Sequence, residues 1–184
     1  AGTKILAPVD ADGTNDNFGW STAINSDGTK VIVGAEFEDA GGANAGAAYI
    51  FTYSSGSGSW GAGTKIVSSD LQAGDDFGRS VAMNADGTKV LVGARYEDPN
   101  NISNAGSAYV FTYNGTSWVQ EQKIVASDKQ ATDMFGYHVA MSGNGLKAIV
   151  GAYGEDTRGT TAGAAYIFDL NSVTDSGFVF DTST

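Results

Sequence analysis

Apolar and polar positions follow the same order three times along this chain, and that order predicts strands joined by tight turns. An apolar stretch opening on Phe-Gly (Phe18 to Ile24, Phe77 to Met83, Phe135 to Met141) leads into a polar turn. The turns are Ser26-Asp27-Gly28-Thr29, Ala85-Asp86-Gly87-Thr88 and Gly143-Asn144-Gly145-Leu146, and Asp-Gly or Asn-Gly between apolar runs is a strong hairpin signal. A β-branched run ending in Gly-Ala follows (Lys30 to Ala35, Lys89 to Ala94, Lys147 to Ala152), then an acidic loop and a third apolar run that includes Tyr49, Tyr109 or Tyr166. Gly/Ser-rich turns carrying Trp60 or Trp118 lead to Thr64-Lys65-Ile66 and Gln122-Lys123-Ile124. The Phe-Gly pairs stand 59 and then 58 residues apart, and a fixed period means one supersecondary unit, repeated and stacked.

The second and third runs are apolar throughout rather than alternating, so they are expected to be covered on both faces. Four antiparallel strands covered on both sides by neighbours make a propeller blade. The predicted fold is therefore all-β: three four-stranded antiparallel blades, completed by another chain or by strand exchange at the termini. A β-solenoid is the alternative, but its coils are shorter than this period. Residues 1–9, with Thr3-Lys4-Ile5-Leu6-Ala7 read as a strand, supply the outer strand of a preceding or closing blade; the repeats are 10–69, 70–127 and 128–184.

Composition narrows the picture. The chain of 184 residues has 26 Gly, two Pro and no Cys, so disulfides, thiol catalysis and thiolate metal sites are excluded. A net charge of −11 argues against nucleic acid and anionic lipid as partners. No apolar run reaches the ~20 residues of a membrane helix, so no membrane insertion is expected. Two sequons, at Asn101 and Asn114, matter only in a secreting eukaryote.

The elements Asp75-Asp76-Phe77-Gly78-Arg79-Ser80-Val81-Ala82, Asp86-Gly87-Thr88-Lys89-Val90-Leu91-Val92-Gly93-Ala94 and Gly106-Ser107-Ala108-Tyr109-Val110-Phe111 resemble the FG-GAP repeat, the blade unit of the integrin α-subunit propeller. The resemblance covers nearly the whole chain. It implies a secreted or cell-surface extracellular protein serving adhesion or ligand binding, with carbohydrate-binding propellers among its relatives. Two features depart from the family pattern: Glu36, Arg95 and Tyr153 stand where it has the Pro of Gly-Ala-Pro, and its Asp-rich calcium loop between the first two strands is replaced by a tight turn.

Four-stranded blades put alternate connections at opposite ends. Fifteen of the 21 acids fall on the end that holds the loops before Phe-Gly and after Gly-Ala, and Lys4, Lys30, Lys65, Lys89, Lys123 and Lys147 are expected at the other. Carboxylates repeated around an axis can hold a hard cation or attract a cationic ligand. The metal candidates are Asp10, Asp12 and Asp16 in the first loop, then the pairs Asp70/Asp75 and Asp128/Asp133. Such acids also cap turns through side-chain to backbone hydrogen bonds, which needs no metal. No cofactor is required; calcium is the cation these loops suit. Ligand-contact candidates are Trp20, Arg79 and Tyr137, which share the position two residues after Phe, with Asp39, Asp98 and Asp156 in the acidic loops.

Catalysis is not expected: the single His138 aligns with Ser21 and Ser80, and no nucleophile stands beside a base. The reading is an extracellular binding or adhesion module with a protein or glycan ligand. The alternatives are a self-assembling structural protein and a lectin-like propeller. A homodimer closing six blades, or a place within a longer propeller, completes the expectation.

Overall fold

A computed structural model of the chain describes residues 2–8, 15–39, 41–171 and 178–179. It contains three antiparallel sheets stacked face to face. The first blade consists of β1 (Ser21–Ile24), β2 (Lys30–Ala35) and β3 (Ala47–Ser54), with an outer strand broken into β4 (Ser59–Trp60) and β5 (Thr64–Ile66). The second is β6 (Phe77–Met83), β7 (Lys89–Ala94), β8 (Ser107–Tyr113) and β9 (Trp118–Ile124); the third is β10 (Phe135–Met141), β11 (Lys147–Ala152) and β12 (Ala164–Asp169).

Register is equivalent in all three. Val33 faces Tyr49, Val92 faces Tyr109 and Val150 faces Tyr166 across the second and third strands. The apolar runs are buried on both faces where a blade has two neighbours, as in β7 and β8. One core lies between blades one and two, around Ile32, Ile50, Phe77, Tyr109 and Phe111. The next lies between blades two and three, around Leu91, Val110, Phe135, Tyr166 and Phe168.

The Phe-Gly and Gly-Ala pairs are two halves of one joint. A β-carbon on Gly34 would lie 2.0 Å from the Gly78 carbonyl oxygen, and one on Gly93 would lie 2.0 Å from that of Gly136. Gly78 and Gly136 themselves have φ near +90°, at 92° and 90°, a conformation glycine tolerates. The strand therefore bulges between Phe77 and Ser80, and again between Phe135 and His138.

Residues 2–8 form no strand within the single chain. Ile5 nevertheless packs on the first blade against the cluster containing Tyr49 and Phe51. Among the described residues the third blade has three strands, and its fourth is the one left to another chain or to strand exchange at the termini. The pairing is also not wholly antiparallel, since β13 (Phe178–Val179) runs parallel to β9 on the outer edge of the second blade.

Candidate functional site

The acidic loops gather at one end of the blades, and most of their carboxylates are engaged. Asp39 and Asp98 each accept a backbone N–H across the loop, from Asn44 and Asn104, both at 2.6 Å. Asp75 accepts from Gln72 N–H at 2.7 Å, and Asp133 from Gln130 N–H at 2.6 Å. These are turn-capping bonds of the kind short acidic side chains make. They stiffen the rim, leaving Asp98 and Asp156 exposed and Asp39 half-buried.

The lysine expectation fails for two residues. Lys65 bonds Glu38, and Lys123 bonds both Asp70 (2.7 Å) and Glu97 (2.8 Å), so both lysines serve the acidic end. They sit at the far end of the outer strand, opposite Tyr49 and Tyr109. Lys89 and Lys147 do lie at the other end, paired with Glu121 and Asp169.

Of the metal candidates, Asp10 and Asp12 lie outside the described residues, and Asp16 is half-buried with its backbone carbonyl taking the N–H of Phe37 at 3.3 Å. Asp70 and Asp128 each accept the hydroxyl of a core tyrosine, Tyr109 and Tyr166, at 3.0 Å. Among the described residues no three Asp, Glu, His or Cys side chains converge as a metal site. Burial raises Asp75 to about 6, with Glu97 and Asp70 adding to the effect against the Gln72 bond. Asp70 is also partly desolvated, but bonding to Lys123 and Tyr109 brings its carboxyl below the ordinary range.

Trp20, Arg79 and Tyr137 come together as one ladder along the inner strands. The Arg79 guanidinium lies 4.6 Å from the ring centroid of Trp20 on one side and 4.6 Å from that of Tyr137 on the other. Tyr137 in turn stacks on Tyr153 at 5.2 Å. Arg79 is therefore a clasp across three blades. Beneath it lies a buried charge cluster that the sequence reading missed: Glu36 sits 3.6 Å from Arg79, and Arg95 pairs with Asp76 at 2.7 Å. Burial raises both Glu36 and Asp76 in spite of these cations. Its signal was available, because the position after Gly-Ala (Glu36, Arg95, Tyr153) and the position after Phe-Gly (Trp20, Arg79, Tyr137) both vary across otherwise regular repeats and both carry charge in the second.

Trp60 and Trp118 pack edge-on or tilted against Tyr53 and Tyr113, at 5.6 Å each, as blade-edge contacts. His138 is exposed and touches Tyr137.

Solved structures share the fold. The chain resembles the hydrazine synthase of Kuenenia stuttgartiensis (10% identity, TM-score 0.51), covering 94% of this chain and 38% of that one. It also resembles the periplasmic gluconolactonase of Pseudomonas aeruginosa (16% identity, TM-score 0.50), covering 81% of this chain and 38% of that one. At these identities the likeness is one of fold alone, and the chain spans well under half of either structure. No curated protein matches the sequence. The FG-GAP repeat model matches residues 3–51, 60–111 and 118–168, one match per blade, and the chain belongs to the FG-GAP repeat family.

Proposed function

We propose that this chain is an extracellular or periplasmic binding module that takes a cationic ligand, such as a basic protein surface, at the acidic loop end of its blades. One observation carries the reading. Equivalent carboxylates, Asp39, Asp98 and Asp156, recur on three successive loops, while Lys65, Lys123, Arg79 and Arg95 at the same end are already engaged by other acids. A rim with uncompensated negative charge attracts cations and steers their approach. FG-GAP repeats are typical of extracellular and periplasmic proteins, which agrees with this role.

A fluorescent hexalysine peptide serves as probe. Titration at low salt is expected to give saturable binding that weakens steeply as ionic strength rises. The triple variant Asp39→Asn, Asp98→Asn, Asp156→Asn should lose at least tenfold in affinity. Equal affinity of wild type and triple variant would overturn the reading.

A further inference from the structure

The two joints between blades repeat residue for residue, and the third blade presents half of a third joint. Ile149 and Ile167 are 42% and 65% exposed, whereas their equivalents Leu91 and Val110 are fully buried. Gly151, equivalent to Gly34 and Gly93, has no neighbouring carbonyl where theirs would collide with a β-carbon; the nearest atom is the His138 oxygen at 3.7 Å. Beside it opens a 620 Å³ hollow lined by Tyr137, His138, Gly151 and Tyr153, in the place where Phe77-Gly78 and Phe135-Gly136 seat on the preceding blades.

The outer edge of this blade is also incomplete. In the first two blades the outer strand pairs with the third strand through Ile66 opposite Ala48 and Lys65 opposite Tyr49, then Ile124 opposite Ala108 and Lys123 opposite Tyr109. The corresponding residues of β12 are Ala165 and Tyr166, and among the described residues nothing pairs with that edge. The chain's own β13 lies elsewhere, on β9. The carboxylates that would receive the missing lysine are in place. Glu97 and Asp70 hold Lys123, and their equivalents Glu155 and Asp128 meet no lysine among the described residues.

The complementary half of this joint lies at the other end of the same chain. Thr3-Lys4-Ile5 repeats Thr64-Lys65-Ile66, Lys4 is exposed, and Ile5 rests on the first blade as Ile66 and Ile124 rest in the cores against the second and third. The residues after Gly-Ala and after Phe-Gly also match. Glu36 meets Arg79 at the first joint and Arg95 lies over Tyr137 at the second, so Tyr153 awaits a partner at the third. In a second copy that partner is Trp20. Tyr153 and Trp20 are 57% and 51% exposed, so two half-exposed aromatic rings, each already stacked on a neighbour within its own chain, would meet.

We propose that the open face of the third blade binds the first blade of a second copy of this chain head to tail, with that copy's Thr3-Lys4-Ile5 completing the third blade as its outer strand. Its Lys4 pairs with Glu155 and Asp128, and its Phe18-Gly19 fills the hollow beside Gly151. Two such joints close two chains into a ring of six blades, within the usual range for propellers. This inference goes beyond the proposed binding role and does not depend on it.

Light scattering on the 184-residue chain is expected to give roughly twice its 18.9 kDa mass. Gly151→Ala should give a folded monomer with an unchanged far-ultraviolet spectrum, because the added methyl has room within the chain and none in the joint. The wild type has no cysteine, so Thr3→Cys with Ile167→Cys, adjacent by the register above, should form a disulfide-linked dimer without reductant, while neither single variant does. A wild-type monomer up to about 100 μM would overturn the proposal, as expected if a further repeat of a longer protein covers this face instead. So would a dimer that survives Gly151→Ala and fails to cross-link, since it would use another surface.

Discussion

The carbonyl oxygen of Gly136 occupies the space that a side chain on Gly93 would need, 2.0 Å from an ideal β-carbon. Both groups are backbone, so neither can turn aside, and a methyl there has to push the second and third blades apart. Overpacking of this kind costs about 1–3 kcal/mol and more when backbone must move. Gly93→Ala is therefore expected to destabilise the fold by at least about 3 kcal/mol in urea unfolding. A cost below about 1 kcal/mol would mean that the blades can slide over one another.

Arg79→Ala removes the rung between Trp20 and Tyr137 and leaves the buried Glu36 with Arg95, 3.9 Å away, as its nearby cation and with its hydrogen bond from Asn17. Stripping one partner from a buried pair costs about 3–5 kcal/mol, less where a second cation remains nearby. A loss of about 2–3 kcal/mol is expected. Arg79→Lys should recover only part of it, since a lysine lacks the planar group that lies between two rings. Full recovery by lysine would assign the effect to charge alone.

Fold was more legible than site because the period of the sequence reports on burial, and burial is what the blades repeat. Phe77, Val92, Tyr109 and Ile124 occupy their places because a neighbouring blade covers them, and their apolar character says so in the one-dimensional pattern. Residues 3–7 carry the same pattern as β5, yet form no strand within the single chain, because a strand depends on a hydrogen-bonding partner and not on its own composition. The acids were legible as a cluster at one end, but not in their roles. Whether Asp75 caps Gln72 or Glu38 meets Lys65 depends on where the outer strand ends relative to the loop, which no local pattern records. The Trp20, Arg79 and Tyr137 ladder came from comparing one position across three repeats, and the glycine bulge that brings them together explains why their side chains leave the regular alternation of the strand.

Stability should rise on mild acidification. Burial holds Asp75 at about 6, above its value in the unfolded chain, so the folded state binds the proton more readily. That contribution is full below about pH 4 and is lost as pH climbs through about 6. Glu36, Asp76 and Asp133 are raised for the same reason and add in the same direction, whereas Asp70, lowered overall, opposes them only at lower pH. The thermal midpoint is expected to be higher at pH 5.5 than at pH 8. Asp75→Asn, whose amide oxygen can still accept the Gln72 N–H, should be more stable than wild type at pH 8, on the order of 2 kcal/mol, and should flatten the profile. A wild-type midpoint that falls steadily from pH 8 to pH 5.5 would contradict this assignment.

Leu91 and Ile149 hold the same place in successive blades, one fully buried and the other 42% exposed, so the same truncation should have different consequences. Leu91→Ala leaves a cavity between two packed sheets, and such changes cost about 2–5 kcal/mol depending on how far the surroundings collapse. Ile149→Ala removes methyl groups that water already reaches, so in dilute solution it should cost under about 1 kcal/mol. The comparison separates what the repeat unit needs for itself from what it needs from a neighbour, because sequence and register are matched and only the following blade differs. If the two variants lose equal stability at concentrations where the chain is monomeric, the outer face of the third blade is covered within the chain, and the contrast in burial between the blades does not hold in solution.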